Sequence, residues 1–121
     1  MKFKTETEEA EFQKVSLILQ LIVRDIELLV RGFAKEITIT RVLSPVSGES
    51  GVHLDHRAVD IRDEFQGERT FSAAEIAVLL DSINNKWKRN DGYETIIHHS
   101  FHGGPWHLHV QIPELTRAYE K

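Results

Sequence analysis

At 121 residues, with 40% hydrophobic and 28% charged residues, the chain is long enough to bury one core and has the composition of a single folded domain over residues 1–121. Its formal net charge of -4 argues against a nucleic-acid partner, because nucleic-acid binders usually present a basic surface. The chain contains no cysteine, which excludes disulfides and thiolate metal sites, so any metal must be bound by histidine, aspartate or glutamate.

The N-terminus lacks the pattern of a secretory signal. Lys2 and Lys4 are followed by four acidic residues where an uncharged segment should begin. The later apolar run of residues 15–23 is too short to span a bilayer and continues into charged residues. We therefore expect synthesis in a cytoplasm without a signal peptide, and no insertion into a membrane.

The first predicted element is a long helix over residues 7–33. Apolar residues recur at helical spacing from Phe12 to Phe33. Acidic residues crowd the start of this segment and basic residues its end, which is the distribution that a helix dipole favours. Gly32 is placed to end the helix. The pattern predicts one long amphipathic helix that packs against the core.

Two strands are expected next, over residues 36–43 and 57–62, with a loop rich in serine and glycine between them. In the second strand, alternation places Val59 and Ile61 on one face and Asp60 on the other. Asp60 is therefore expected on the face away from the core, where its carboxylate is available for chemistry.

The second half of the chain predicts a polar loop, one helix and two more strands. Ser72 and Glu75 form a capping box that opens a helix ending near residue 88. Residues 94–101 and 106–112 are expected to be strands. The order of elements predicts an α+β domain that has a small central, mainly antiparallel sheet, the long N-terminal helix and one further helix.

Histidine is concentrated in the last strands. Seven histidines are present, and five of them lie within residues 98–109. Alternation in the last strand places His107 and His109 on the face away from the core. If the strands that contain Asp60 and His109 are neighbours, these two side chains converge, and His53 can reach the same point from the preceding loop.

Two imidazoles and one carboxylate form the ligand set of a catalytic zinc site that keeps one position open for water. Such a site suits the hydrolysis of an amide bond, provided that a base takes the proton of the water. His107 is the nearest candidate base, and His99 and His102 are weaker candidates. His98 is better explained as a surface or hydrogen-bonded residue, and His56 fits a residue that supports the ligands as well as it fits an exposed one.

Two arginines are candidates for binding the substrate. A guanidinium matches the geometry of a carboxylate, so Arg41 and Arg57 could each hold a carboxylate of the substrate. A solvated surface arginine explains either residue equally well.

The segments around His53 and His109 resemble a group of zinc metallopeptidases. The group includes D-alanyl-D-alanine carboxypeptidases and dipeptidases, phage L-alanyl-D-glutamate endolysins, penicillin-insensitive murein endopeptidases, lysostaphin-type enzymes and the Hedgehog signalling domain. His53, Ala58 and Asp60 match the Ser-x-His-x-x-Gly-x-Ala-x-Asp motif of the carboxypeptidase branch in register. The segment Trp106-His107-Leu108-His109-Val110 is similar to the His-x-His motif of the murein endopeptidase and lysostaphin branches.

This resemblance implies that His53, Asp60 and His109 are zinc ligands and that His107 is a catalytic histidine. It also implies a small α+β fold of the Hedgehog and D-alanyl-D-alanine peptidase type, and a zinc metallopeptidase that acts on the peptide stems of peptidoglycan. The carboxypeptidase branch has an acidic residue three positions before the last ligand, where this chain has Trp106. Activity should therefore follow the histidine-assisted branch or use an acid from elsewhere, such as Glu49. A phage or prophage lysis protein, or a tail-associated protein that reaches the cell wall, is the expected setting.

Two alternatives remain open. A catalytically inactive zinc-binding interaction domain of the same fold would keep the metal but lack a competent base. A non-haem iron enzyme also uses two histidines and a carboxylate, although the usual close His-x-Asp spacing is absent here.

Overall fold

A computed structural model describes residues 1–42, 57–100 and 103–113. Over these ranges the chain is an α+β protein with three helices, a mixed five-stranded sheet and a separate two-stranded hairpin. The elements in chain order are β1 (Lys2–Phe3), α1 (Glu6–Phe12), α2 (Leu17–Gly32), β2 (Thr38–Arg41), β3 (Ala58–Arg62), β4 (Glu64–Phe65), β5 (Glu68–Arg69), α3 (Ala73–Lys86), β6 (Ile96–His99) and β7 (His107–Gln111). None of the described helices has the length and apolar character needed to cross a membrane.

The five-stranded sheet has the order β1-β2-β3-β7-β6. β1 runs parallel to β2, whereas β2–β3, β3–β7 and β6–β7 are antiparallel pairs. The sequence pattern does not predict β1, and this strand makes the sheet mixed. Lys2 N–H donates to Ile37 O and Lys4 N–H donates to Ile39 O, both at 2.8 Å, so the first residues of the chain extend the sheet.

The helix expected over residues 7–33 is two helices, α1 and α2, with a break at residues 13–16. The hydroxyl oxygen of Ser16 accepts the N–H of Ile18 at 3.3 Å and caps the start of α2, which explains the break. Phe12 and Val15 remain buried beside the break. α1 contacts β1 and β2, whereas α2 contacts α3 and β7, so the break allows one apolar segment to cover two parts of the core.

The capping box predicted at Ser72 and Glu75 is confirmed. Ser72 Oγ accepts the N–H of Glu75 at 3.1 Å, and Glu75 Oε1 accepts the N–H of Ser72 at 2.9 Å. The helix that it opens, α3, ends at Lys86. The segment expected to be a polar loop, residues 63–71, contains the hairpin β4–β5.

One face of the five-stranded sheet packs against the helices and forms the core. Ile39, Ile61 and Leu108 lie on three adjacent strands and are fully buried with Leu19 of α2 and Leu79 of α3. Because side chains alternate along a strand, the polar residues between these core positions lie on the opposite face. We call this opposite side the open face of the sheet.

Asp63 is a fully buried carboxylate that joins the end of β3 to its neighbours. Its Oδ2 accepts from Arg69 Nε and His98 Nε2, each at 2.7 Å, and its Oδ1 accepts the N–H of Phe71 at 3.0 Å. Burial alone would raise the pKa of Asp63. The bonds from Arg69, Phe71 and His98 outweigh burial and hold that pKa below its ordinary value, so the carboxylate is charged at neutral pH.

We expect Asp63→Asn to lower the free energy of unfolding by about 3 kcal/mol at neutral pH, the usual cost of leaving the partners of a buried ion pair uncompensated. A carboxyl whose pKa is lower in the folded than in the unfolded state stabilises the fold above its unfolded pKa. This contribution disappears as the pH falls through the folded-state pKa. The loss in free energy of unfolding caused by Asp63→Asn should therefore become smaller once the pH falls below 3.8, the ordinary pKa of aspartate.

Urea titrations at neutral and at acidic pH measure this effect. Asp81→Asn is the matched control, because Asp81 is an exposed carboxylate on α3. An equal loss of stability in the two variants, or a loss in Asp63→Asn that does not change with pH, would contradict the assigned role of Asp63.

Candidate metal centre

Asp60, His107 and His109 lie together on the open face of the sheet. β3 and β7 are neighbours, as the convergence of these side chains requires, and their antiparallel register places Asp60 opposite His109. His107 lies on the same side as His109 because residues two apart along a strand share a face. We call these three residues the Asp60 group.

Short distances join the side chains of the Asp60 group. His109 Nδ1 lies 2.9 Å from Asp60 Oδ1, and His107 Nε2 lies 3.7 Å from the same oxygen. One potential ligand atom from each residue can be chosen so that all three lie within 4.8 Å of one another. The other carboxylate oxygen, Oδ2, accepts a hydrogen bond from Arg41 Nε at 2.8 Å. Arg41 therefore holds the carboxylate so that Oδ1 faces the two histidines.

His107 Nε2 supports the interpretation that this group binds a metal. The atom is buried and has no hydrogen-bond partner in the described part of the chain, because 3.7 Å to Asp60 Oδ1 is too long for one. A buried nitrogen without a partner costs free energy, and a cation between the three side chains, or a water molecule beside such a cation, would give it a partner. Imidazole nitrogens and a carboxylate oxygen suit zinc and other divalent transition metals. The group can therefore hold a metal ion, and its donors alone do not identify zinc.

The pKa values of two histidines at this group shift in opposite directions. Burial opposes a charge on His109, but its bonds to Asp60 and Gln111 and the charge of Asp60 raise the pKa of His109 above its ordinary value. Burial lowers the pKa of His99, and the nearby His107 and His109 lower it further. His99 is therefore neutral at neutral pH and able to accept a proton.

His99 is closer to the group than the sequence analysis indicated. It lies opposite His107 in the β6–β7 pair, with the ring centroids 4.6 Å apart, and its ring lies 6.3 Å from that of His109. In the β6–β7 pair, partner residues are equally far in sequence from Gly103. The φ of Gly103 is 73°, a conformation that glycine adopts readily. Pairing the residues equidistant from Gly103 would have placed His99 beside His107 from the sequence.

His98 faces the other side of β6. Its Nε2 lies 2.7 Å from Asp63 Oδ2, and its ring stacks on Trp106 with the centroids 4.8 Å apart. The interpretation of His98 as a hydrogen-bonded residue is confirmed, and it lies outside the Asp60 group.

A cleft of about 470 Å³ opens beside Asp60 and His107. Its walls include three cations, two acids and two aromatic residues: Lys4, Arg41, Arg62, Asp60, Glu64, Phe65 and Trp106. The guanidinium of Arg62 lies 4.1 Å from the centroid of the Phe65 ring. Within the described ranges neither Lys4 nor Arg62 forms an ion pair with an acidic residue. The cleft therefore combines two cations that have no ion pair in the described ranges with acidic side chains and apolar surface next to the Asp60 group.

Arg41 and Arg57, the two candidates for substrate binding from the sequence, lie in different parts of the structure. Arg41 lines the cleft and donates to the carboxylate of the Asp60 group. Arg57 precedes β3 and donates from Nη1 to Ile112 O at 3.3 Å, and it is not among the described residues that line the cleft. Three histidines of the sequence analysis lie outside the described residues: His53, His56 and His102.

No protein-family model, curated protein or solved structure matches this chain. What the site does is therefore inferred from its own geometry and from the motifs in the sequence.

Proposed function

We propose that the protein is a zinc-dependent peptidase that hydrolyses peptide bonds in the stems of peptidoglycan, as a carboxypeptidase or an endopeptidase. The observation that carries this proposal is the convergence of Asp60, His107 and His109 on one point of the open face. The resemblance of the two histidine segments to zinc metallopeptidases suggests the class of reaction and the type of fold. It also suggests zinc as the metal and His53 as a further ligand.

The contacts of the two histidines support the division of roles that we propose between them. When bound, zinc polarises the carbonyl of the amide and makes water a stronger nucleophile. His107 Nδ1 lies 3.3 Å from Pro105 O, to which it can donate, so its Nε2 faces Asp60 as an acceptor. In our proposal His107 takes the proton of the attacking water at Nε2. It then gives that proton to the nitrogen of the leaving amine as the C–N bond breaks.

The cleft beside the group supports a substrate that carries carboxylates. Lys4 and Arg62 supply positive charge there, and Phe65 and Trp106 supply apolar surface. A peptidoglycan stem is a short peptide with free carboxylates and alanine side chains, so its charge and surface are complementary to this cleft. A phage or prophage protein that reaches the cell wall during lysis, or as part of a tail, is the setting that we propose.

We expect the zinc-loaded protein to release new amine ends from purified peptidoglycan, because hydrolysis of each stem bond creates one. A chelator should stop the release and added zinc should restore it. Mass spectrometry of the released peptides identifies the bond that is cut. The Asp81→Asn variant, altered on the exposed surface of α3, serves as a matched protein control. A folded, zinc-loaded protein that cuts neither peptidoglycan nor synthetic stem peptides would show the proposal to be wrong.

An inactive zinc-binding interaction domain is the second candidate. Trp106 stands where the carboxypeptidase branch has an acid, and its ring stacks on His98 rather than facing the Asp60 group. The neighbouring acid Glu64 accepts the N–H of Trp106 at 3.0 Å, so it is already engaged. About one zinc per chain without cleavage of any stem peptide would favour this candidate. Iron in protein purified without oxygen would favour a non-haem iron enzyme instead.

A further inference from the structure

Gln111 follows His107 and His109 in the row of side chains on the open face of β7. Its side-chain Oε1 lies 2.9 Å from His109 Nε2. On the other side of the same ring, His109 Nδ1 lies 2.9 Å from Asp60 Oδ1. The imidazole of His109 is therefore held between two oxygens, and only its Nδ1 faces the Asp60 group.

The backbone holds Gln111 firmly in this position. Gln111 N–H donates to Thr95 O at 2.8 Å, and Gln111 O accepts from Arg89 Nη1 at 3.4 Å. Gln111 also pairs with Ala58 of β3, so β7 is flanked by a strand on each side at this end. Since residues two apart on a strand project in the same direction, the amide of Gln111 is brought to the ring of His109 by the strand itself.

We infer that Gln111 is a positioning residue for the metal centre, which accepts the Nε2 proton of His109 and thereby makes Nδ1 the metal-binding nitrogen. A neutral imidazole has one N–H and one lone pair, and a metal binds at the lone pair. When a cation lies between Asp60 Oδ1 and the ring, the acceptor fixed at Nε2 keeps the ring proton there and leaves the lone pair at Nδ1, on the side of the cation. It also makes the ring a stronger ligand, as outer hydrogen bonds do at histidine–metal sites.

The two histidines of the Asp60 group differ in how their outer nitrogens are held. The bond from His109 to a side-chain oxygen of Gln111 is 2.9 Å, whereas His107 Nδ1 lies 3.3 Å from the backbone oxygen of Pro105. A tightly held ring suits a ligand, and a loosely held ring suits a residue that takes and returns a proton. The inference rests on the proposed metal site and does not depend on the peptide bond that is cut.

The test is the affinity for zinc alone, measured by competition with a chelator. We expect Gln111→Leu, which removes the acceptor at similar volume, to weaken zinc binding by about 10- to 100-fold. Gln111→Glu keeps an acceptor at the same position and should restore tight binding. Gln13→Leu, at an exposed glutamine beside α1, is the matched control and should bind zinc like the unmodified chain. Circular dichroism verifies that each variant is folded, and Gln111→Asn replaces Gln111→Leu if the latter does not fold.

The tautomer of His109 is the second readout, because a merely structural role of Gln111 would not change it. Nitrogen-15 NMR of the zinc-loaded chain should place the ring proton on Nε2. A proton on Nδ1, or equal zinc affinities of Gln111→Leu and the unmodified chain, would overturn the inference. Zinc binding that depends on Gln111 without any peptidase activity would support the inference and reject only the proposed function. A folded chain that binds no zinc would overturn both.

Discussion

His109→Ala is expected to abolish stable zinc binding while the chain remains folded. His109 Nδ1 and Asp60 Oδ1 are the closest pair of potential ligand atoms in the group, 2.9 Å apart. Changing a residue behind a metal ligand costs about 10- to 100-fold in affinity, so removing the ligand itself should cost more than about 100-fold. Without the imidazole, Asp60 keeps its bond from Arg41 at 2.8 Å, which is why the fold should tolerate the change.

Elemental analysis and a competition titration with a chelator measure this loss. His98→Ala is the matched control, since His98 lies on the adjacent strand β6 but bonds to Asp63 and faces away from the group. That variant should keep about one zinc per chain, even if it is less stable. An unchanged zinc content and affinity in His109→Ala would remove the Asp60 group as the metal centre.

His107→Ala is expected to reduce turnover by about 10²- to 10⁴-fold, the usual contribution of a general acid–base residue. Zinc content should change little, because our proposal assigns the metal to His53, Asp60 and His109. The structure makes this experiment decisive, since His107 Nε2 also lies within reach of the group and has no hydrogen-bond partner in the described ranges. Turnover of a synthetic stem peptide and zinc content must therefore be measured on the same preparation.

His53→Ala is the variant to compare with His107→Ala. Loss of zinc in His53→Ala and its retention in His107→Ala would support the proposed ligand set. The reverse result would make His107 the third ligand together with Asp60 and His109. Full turnover in a folded His107→Ala variant would exclude His107 from catalysis in either arrangement.

Much of the candidate site could be predicted because strand alternation is a local property. Asp60 between Val59 and Ile61, and His109 between Leu108 and Val110, are assigned to the open face by the two-residue period alone. The start of α3 could be predicted from an equally local signal, because the capping box needs only Ser72 and Glu75. These predictions needed no knowledge of which strands are neighbours.

The prediction of one continuous helix over residues 7–33 was wrong, although the signals in this segment are also local. Two of these signals point to different structures. Apolar periodicity continues through residues 13–16, which favours one helix, whereas Ser16 can cap the start of a new helix at this point. Periodicity reports which residues face the core, and both α1 and α2 bury theirs. It does not report whether the backbone between them is continuous.

The sequence by itself determined which residues face the core, which face away, and that two imidazoles and a carboxylate are available on the open face. Only the tertiary structure decided which of them meet. The β3–β7 register places Asp60 beside His109, and the return of the N-terminus as β1 makes the sheet mixed. Registers depend on contacts between residues far apart in the chain, so one strand's own pattern cannot specify its neighbours. The same holds for Gln111, whose role depends on where the ring of His109 meets Asp60.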